Sequence, residues 1–222
     1  GELGAKSPYV AMTSSLIERF PIEGGRLIIE PDASSGSYFW AAGHILSVDD
    51  GLPIRVARWP KSGWQIDAEF PNFLPVPNVV SRLNDLGDSI MTSIVIAPLA
   101  NHQTQFINLE RLRLQECERV QALRVELTKC GAEIKETGDT LAISPGELKG
   151  AEIETYDDHR IAMCFATLGL KVPGIRIKNP SCVRKTFPTF FYKLAAPRPV
   201  GLGAAVLDGQ GNKLAVENLI AD

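Results

Sequence analysis

Only four cysteines occur in the chain, Cys117, Cys130, Cys164 and Cys182, and no two of them form a CxxC pair. That scarcity speaks against a disulfide framework and for reduced thiols in a cytosolic setting. With three histidines and no ligand-like spacing, a zinc site is not expected either. No apolar run approaches the ~18 residues that a membrane-spanning helix needs. No basic stretch followed by an apolar one stands at the start. Basic residues are not in excess: the net charge is −3, so bulk charge supports neither nucleic acid nor an anionic membrane as partner. Any anion site must be local.

The composition is otherwise that of an ordinary globular protein, 45% hydrophobic and 22% charged over 222 residues. That length suffices for one large domain or two small ones. The opening "GELGAKSPYVAMTSSLIERF" reads as a turn and then a helix, with apolar positions at Val10, Met12, Leu16 and Ile17.

Three later segments share one pattern: "DASSGSYFWAAGHIL" from Asp32, "DSIMTSIVIAPLA" from Asp88 and "DHRIAMCFATLGL" from Asp158. Each places an aspartate where it can cap the free N–H groups of a first turn. Each then turns apolar on every side, as a core helix does. The segments downstream of the last two also match. After Asp88 come the strand-like "TQFIN" and a second helix predicted to open at Glu116; after Asp158 come "GIRIKNP" and a helix predicted to open near Lys185, at almost the same spacing. "AEIKETGDTLAIS" reads as a hairpin turning at Gly138-Asp139, and "AAVLDGQGNKLAVEN" as another. The unit after Asp32 has no clear closing hairpin. The pattern predicts an α/β (α+β) protein made of repeated βαβαββ units.

Ionisable residues collect at the predicted helix starts: Asp88; Glu116 and Arg119; His159 and Arg160; Lys185. Converging helix N-termini would form an anion site, with arginine and lysine as donors and Glu116, Asp88 and His159 available for proton transfer. Each has a plainer reading. An aspartate cap is usually only a cap, Arg119 three residues beyond Glu116 would by default be a surface ion pair, and His159 and Arg160 could be solvated. Equivalent positions in repeated units favour the functional reading.

"TYDDHRIAMCFA", "CVRKTFPTFF", "EPDASSGSYFWAA" and "LGDSIMT" together resemble the 5-enolpyruvylshikimate-3-phosphate synthase family, over about Ser7 to Ala195. The resemblance implies an inside-out α/β assembly in two lobes, with buried helices whose N-termini face the cleft. It implies that residues 1–29 finish one lobe, 30–196 build most of the other, and 197–222 extend past the usual family ending as a β-hairpin. It also implies that the first half of such an enzyme is not in this sequence, so that an N-terminal half is the expected partner.

By the same resemblance the substrates are shikimate-3-phosphate and phosphoenolpyruvate, with no metal or organic cofactor. Asp88 resembles the carboxylate that holds the shikimate hydroxyls, and Glu116 the acid that works on the phosphoenolpyruvate methylene. Arg119 and Arg160 resemble clamps for that substrate's carboxylate and phosphate, with Lys185 beside the leaving phosphate. His159 resembles a neighbouring hydrogen-bonding group, and Tyr9 and Ser7 resemble residues of the shikimate side. Two positions depart from the family: Gln115 stands where a lysine is usual, and Lys6 where a serine is usual. The alternatives are a UDP-N-acetylglucosamine enolpyruvyl transferase and a non-catalytic domain that kept the fold.

Overall fold

The computed structural model describes residues 7–50 and 54–221, with residues 47–50 described by backbone only. Lys6 lies outside the described residues. The chain runs α1 (Pro8–Arg19), α2 (Ala33–Asp50), a 3-10 helix (Ile66–Phe73), β1 (Val79–Ser81), α3 (Ile90–Ile96), β2 (Thr104–Ile107), a 3-10 helix (Glu110–Leu114) and α4 (Arg119–Lys129). It continues through β3 (Ile134–Thr137), β4 (Thr140–Ile143), β5 (Glu152–Ile153), α5 (His159–Gly169), β6 (Arg176–Ile177), a 3-10 helix (Pro180–Lys185), α6 (Phe190–Ala195) and a last 3-10 turn (Val216–Leu219).

The segment β1–α3–β2–α4–β3–β4 is one complete βαβαββ unit. Its sheet has the order β1-β2-β4-β3, with β1 and β2 parallel and the other pairs antiparallel. Gly138 supplies the positive φ, +60°, that a two-residue hairpin loop needs at its first position. The next unit repeats the start of this plan, with β5 and β6 parallel across α5, but among the described residues it has no strands after α6. The expected closing hairpin is present only in minimal form, as one antiparallel bridge, Leu207 to Lys213, around an Asp208-centred turn. That segment also covers α6, where Ala221 donates its N–H to the Pro188 carbonyl and Leu219 is buried.

Helices α2, α3 and α5 pack against one another at the centre. All seven residues of α3 are buried, as are nine of the eleven in α5. Small polar groups let the three approach: Thr92 of α3 bonds Ser37 of α2 at 2.9 Å and meets the Cys164 thiol of α5 at 3.9 Å. The sheet lies outside, its inner face supplying Phe106, Leu141 and Ile143 to the core. Helices inside and strands outside match the inside-out expectation. By contrast α1 buries none of its residues.

Candidate functional site

The starts of α2, α3 and α5 gather the charged residues, though each helix end is satisfied differently from the simple capping pattern. Asp32 accepts the N–H groups of Ser34 and Ser35, and Asp158 accepts that of Arg160, as predicted. Asp88 does not act as a cap among the described residues. The N–H of Asp88 goes instead to the Tyr9 hydroxyl (2.7 Å) and that of Ser89 to the Asp67 carboxylate (2.7 Å), while Tyr9 donates its proton to Asp67 (2.9 Å). Helix N–H groups are therefore mostly engaged, and the donors left for an anion are side-chain cations.

With its backbone held, the Asp88 carboxylate meets three guanidinium groups. Arg82 donates to Oδ1 at 2.7 Å, and Arg119 and Arg160 each stand 3.6 Å from Oδ2. Gln115 also donates to both Asp88 oxygens, at 3.3 and 3.2 Å. Burial alone would raise the Asp88 carboxyl; Arg160, Arg82 and Arg119 outweigh it and hold the group below the ordinary carboxylate range.

Arg119 is not the surface ion pair that its spacing suggests. It is 2% exposed and its Nε bonds Asp158 at 2.6 Å, with Glu116 a distant partner at 3.9 Å. Its Nη1 donates to Gln115 at 2.7 Å, so Gln115 bridges Arg119 and Asp88. The helix predicted to open at Glu116 begins at Arg119, with Glu118 capping it through the Gln121 N–H. Glu116 thus lies in the turn before α4, two residues ahead of the Glu118 cap.

Lys185 is likewise displaced from its expected place. It ends the 3-10 helix Pro180–Lys185 rather than opening α6, so it sits at the negative end of its turn, where a cation is favoured. Its Nζ bonds Glu116 Oε1 at 2.6 Å. On the other side, His159 Nδ1 stands 3.0 Å from Glu116 Oε2, without the orientation of a hydrogen bond. His159 is buried, not solvated, and burial lowers its pKa, with Glu116 pulling the other way. Arg160 reaches back to Ser34 of α2 at 2.7 Å.

Glu116, Asp158 and His159 bring three potential ligand atoms within 4.8 Å of one another. Both carboxylates are already paired, Asp158 with Arg119 and Glu116 with Lys185, so the surroundings suit an anion better than a metal ion. Beside them the Cys117 thiol is pushed up to about 12 by burial and by Asp158, which makes it unreactive at neutral pH.

The structure brings together Tyr9, Asp88, Gln115, Glu116, Arg119, His159, Arg160 and Lys185. Ser7 precedes α1 without a side-chain cap bond. Arg82, Asp67, Ser34 and Glu126 are not legible as site residues in the sequence. Glu126, fully buried, accepts the Tyr156 hydroxyl (2.8 Å) and the Glu154 N–H (3.1 Å). It thereby supports the turn before α5, where Tyr156 and Asp157 both take φ of +55°. Two successive non-glycine residues in that region are strained, and such strain persists only where the surroundings enforce it.

The family model for EPSP synthase (3-phosphoshikimate 1-carboxyvinyltransferase) matches residues 67–194. A 3-phosphoshikimate 1-carboxyvinyltransferase of Nostoc punctiforme is 38% identical, over 73% of this chain and 42% of its own length. One from Laribacter hongkongensis is 35% identical, over 89% of this chain and 55% of its own. The chain therefore spans about half the length of the curated relatives it matches. Among solved structures, an EPSP synthase from Acinetobacter baumannii superposes with a TM-score of 0.55 at 22% identity, covering 78% of this chain and 48% of that one, a likeness of fold.

Proposed function

Because this chain belongs to the EPSP synthase family, we propose that it supplies the C-terminal half of an enzyme that moves the enolpyruvyl group of phosphoenolpyruvate to the 5-hydroxyl of shikimate-3-phosphate. The observation that carries the reading is the convergence of Arg119, Arg160 and Lys185 with Asp88 and Glu116 at one end of three packed helices. Cations for two anionic groups and carboxylates for proton transfer are what the reaction requires.

In this reading Glu116 delivers a proton to the methylene carbon, and the 5-hydroxyl oxygen bonds to the oxocarbenium-like carbon so formed. Glu116 then takes a proton back from the new methyl group as the carbon–oxygen bond to phosphate breaks, which restores the enol double bond. Asp88 holds the shikimate hydroxyls and receives the proton of the attacking 5-hydroxyl. Arg119 and Arg160 lie near Asp88 without hydrogen-bonding it. An arriving carboxylate and phosphate draw both toward themselves, and Asp88 becomes more basic as they leave. Lys185 then turns from Glu116 to the departing phosphate, and His159 steadies Glu116. Tyr9 and Ser7 line the shikimate side.

Residues 1–29 end one lobe, 30–196 build the other, and 197–222 extend it. The partner is the N-terminal half of the same enzyme. Support comes from the uncovered apolar side chains of the first lobe's remnant, among them Ile17 (70% exposed), Ile22 (100%) and Ile28 (95%). The test is phosphate release from shikimate-3-phosphate and phosphoenolpyruvate. We expect none from this chain alone and turnover once the N-terminal half is added; no turnover from the pair would overturn the reading, and preference of the pair for a UDP-sugar acceptor would redirect it.

A further inference from the structure

Arg82 comes directly after β1, and its N–H donates to the Ile107 carbonyl at 3.1 Å, extending the β1–β2 ladder by one residue. Its backbone is thus as fixed as the sheet. The residue is 5% exposed, an expensive place for a charge without a partner. The partner is Asp88: of the three guanidinium groups around that carboxylate, only Arg82 makes a hydrogen bond to it. The guanidinium carbon also lies 6.0 Å from the centre of the Tyr9 ring, so Arg82 is sandwiched between two residues on one side of the site.

The two Asp88 oxygens consequently differ. Oδ1 is held by Arg82, while Oδ2 looks toward Arg119 and Arg160, with the Gln115 amide reaching both oxygens. We propose that Arg82 is a positioning residue of the enolpyruvyl transfer site: it keeps Asp88 ionised and turned so that Oδ2 is the oxygen offered to the substrate hydroxyl. The proposal rests on Asp88 being the carboxylate that holds the shikimate hydroxyls. The buried Nε–H of Arg82 has no acceptor among the described residues, which suits an oxygen of the same bound substrate. Arg119 and Arg160 do not duplicate this role: neither hydrogen-bonds Asp88, and in the proposed reaction both turn to the substrate's anionic groups.

The groups facing Asp88 are Arg82 after β1, Arg119 on α4, Arg160 on α5, Gln115 before α4, Tyr9 on α1 and, behind Tyr9, Asp67. Removing one cation from that set should shift the Asp88 titration upward by about one pH unit or more. The first experiment tracks the Asp88 carboxyl carbon by NMR titration in this chain and in Arg82→Gln, and it needs no turnover. An unmoved titration in a folded Arg82→Gln overturns the proposal.

The second experiment uses the chain joined by its N-terminal half and the variant Arg82→Lys, which keeps the charge but loses the fork. Affinity for shikimate-3-phosphate by calorimetry should fall about tenfold, with phosphoenolpyruvate binding unchanged; equal affinity overturns the orienting role even if Arg82→Gln does not fold. In Arg82→Gln the acid limb of kcat/KM should move upward with the Asp88 titration. Absence of turnover in the unsubstituted pair would count against the proposed function, while the NMR titration still decides the role of Arg82.

Discussion

Arg119 and Asp158, 39 residues apart in the chain, meet through two hydrogen bonds of 2.6 and 3.2 Å with both side chains withdrawn from solvent. The pair ties the first turn of α4 to the cap of α5, so one contact sets the spacing between two helices that carry site residues. Breaking it from either side strands a buried charge, which costs about 3–5 kcal/mol. Asp158→Ala should therefore lower stability by about that much in urea denaturation, and Arg119→Ala similarly. The double variant Arg119→Met with Asp158→Leu should lose less than the two single losses combined. A loss below about 1 kcal/mol for either single variant would show that solvent reaches the pair.

Acid should unfold the protein through the same neighbourhood. Burial would raise the Asp158 and Asp88 carboxyls, but hydrogen bonds and charge from their arginines hold both below the ordinary range. An unfolded chain binds protons at these positions first, so their stabilisation is complete above ~3.9, the ordinary aspartate value, and is lost as pH falls from there through the folded values. His159 acts earlier with the same sign. Burial keeps it neutral when the unfolded chain is already protonating near ~6.5, so stability declines as pH falls below that point. Asp67 acts oppositely, because burial raises its carboxyl and stability declines as pH rises from ~3.9 through its folded value. Denaturation midpoints taken between about pH 8 and pH 3 should fall below ~6.5, offset in part by Asp67 within its own window, with a shallower fall in His159→Gln. Equal slopes in the two proteins would remove His159 from the explanation.

Gly87 stands between Tyr9 and the start of α3, where there is no room for a side chain. A Cβ there would lie 2.3 Å from the Tyr9 hydroxyl and 2.7 Å from Asp67 Oδ2. Gly87→Ala should push α1 off the site and destabilise by about 1–3 kcal/mol, the usual range for overpacking. Adding Tyr9→Ala should recover part of that loss in thermal melts, because the nearer obstacle is gone. If the double variant is no more stable than Gly87→Ala, the crowding lies with Asp67 alone.

The helical centre of the fold is legible in the sequence because its signal is local: an aspartate, a polar or small first turn, and then apolar residues on every face at Asp32 and Asp158. The β3–β4 hairpin is legible for the same reason, through Gly138. The site is legible only in residue type. Nothing near Arg119 reveals that its partner is Asp158 rather than Glu116, because that choice is made by the packing of α4 against α5. Asp88 looks like a cap from its sequence neighbours, yet Tyr9 and Asp67, each from a distant segment, take the N–H groups of Asp88 and Ser89. Arg82 escapes notice because one arginine after a short strand carries no local signal. The position of Lys185 is misleading because "CVRKTFP" contains a proline whose preceding residues form a 3-10 turn and not the start of α6.

Glu116 and Lys185 separate stability from chemistry. Their 2.6 Å contact is open to solvent on the lysine side, 58% exposed, and pairs of that kind contribute about 0–1 kcal/mol. Glu116→Gln should therefore leave the denaturation midpoint almost unchanged. In the chain joined by its N-terminal half, the same substitution removes the proposed acid at the methylene carbon, and turnover should drop by about 10²-fold or more. Lys185→Met should behave differently, with stability again near that of the parent. Its defect should concentrate in phosphoenolpyruvate, as a raised KM for that substrate with shikimate-3-phosphate binding little changed, because the lost cation is the one proposed to meet the phosphate. Turnover of Glu116→Gln within a few-fold of the parent would mean that another group protonates the methylene carbon, and His159, 3.0 Å from Glu116, would be the next to substitute.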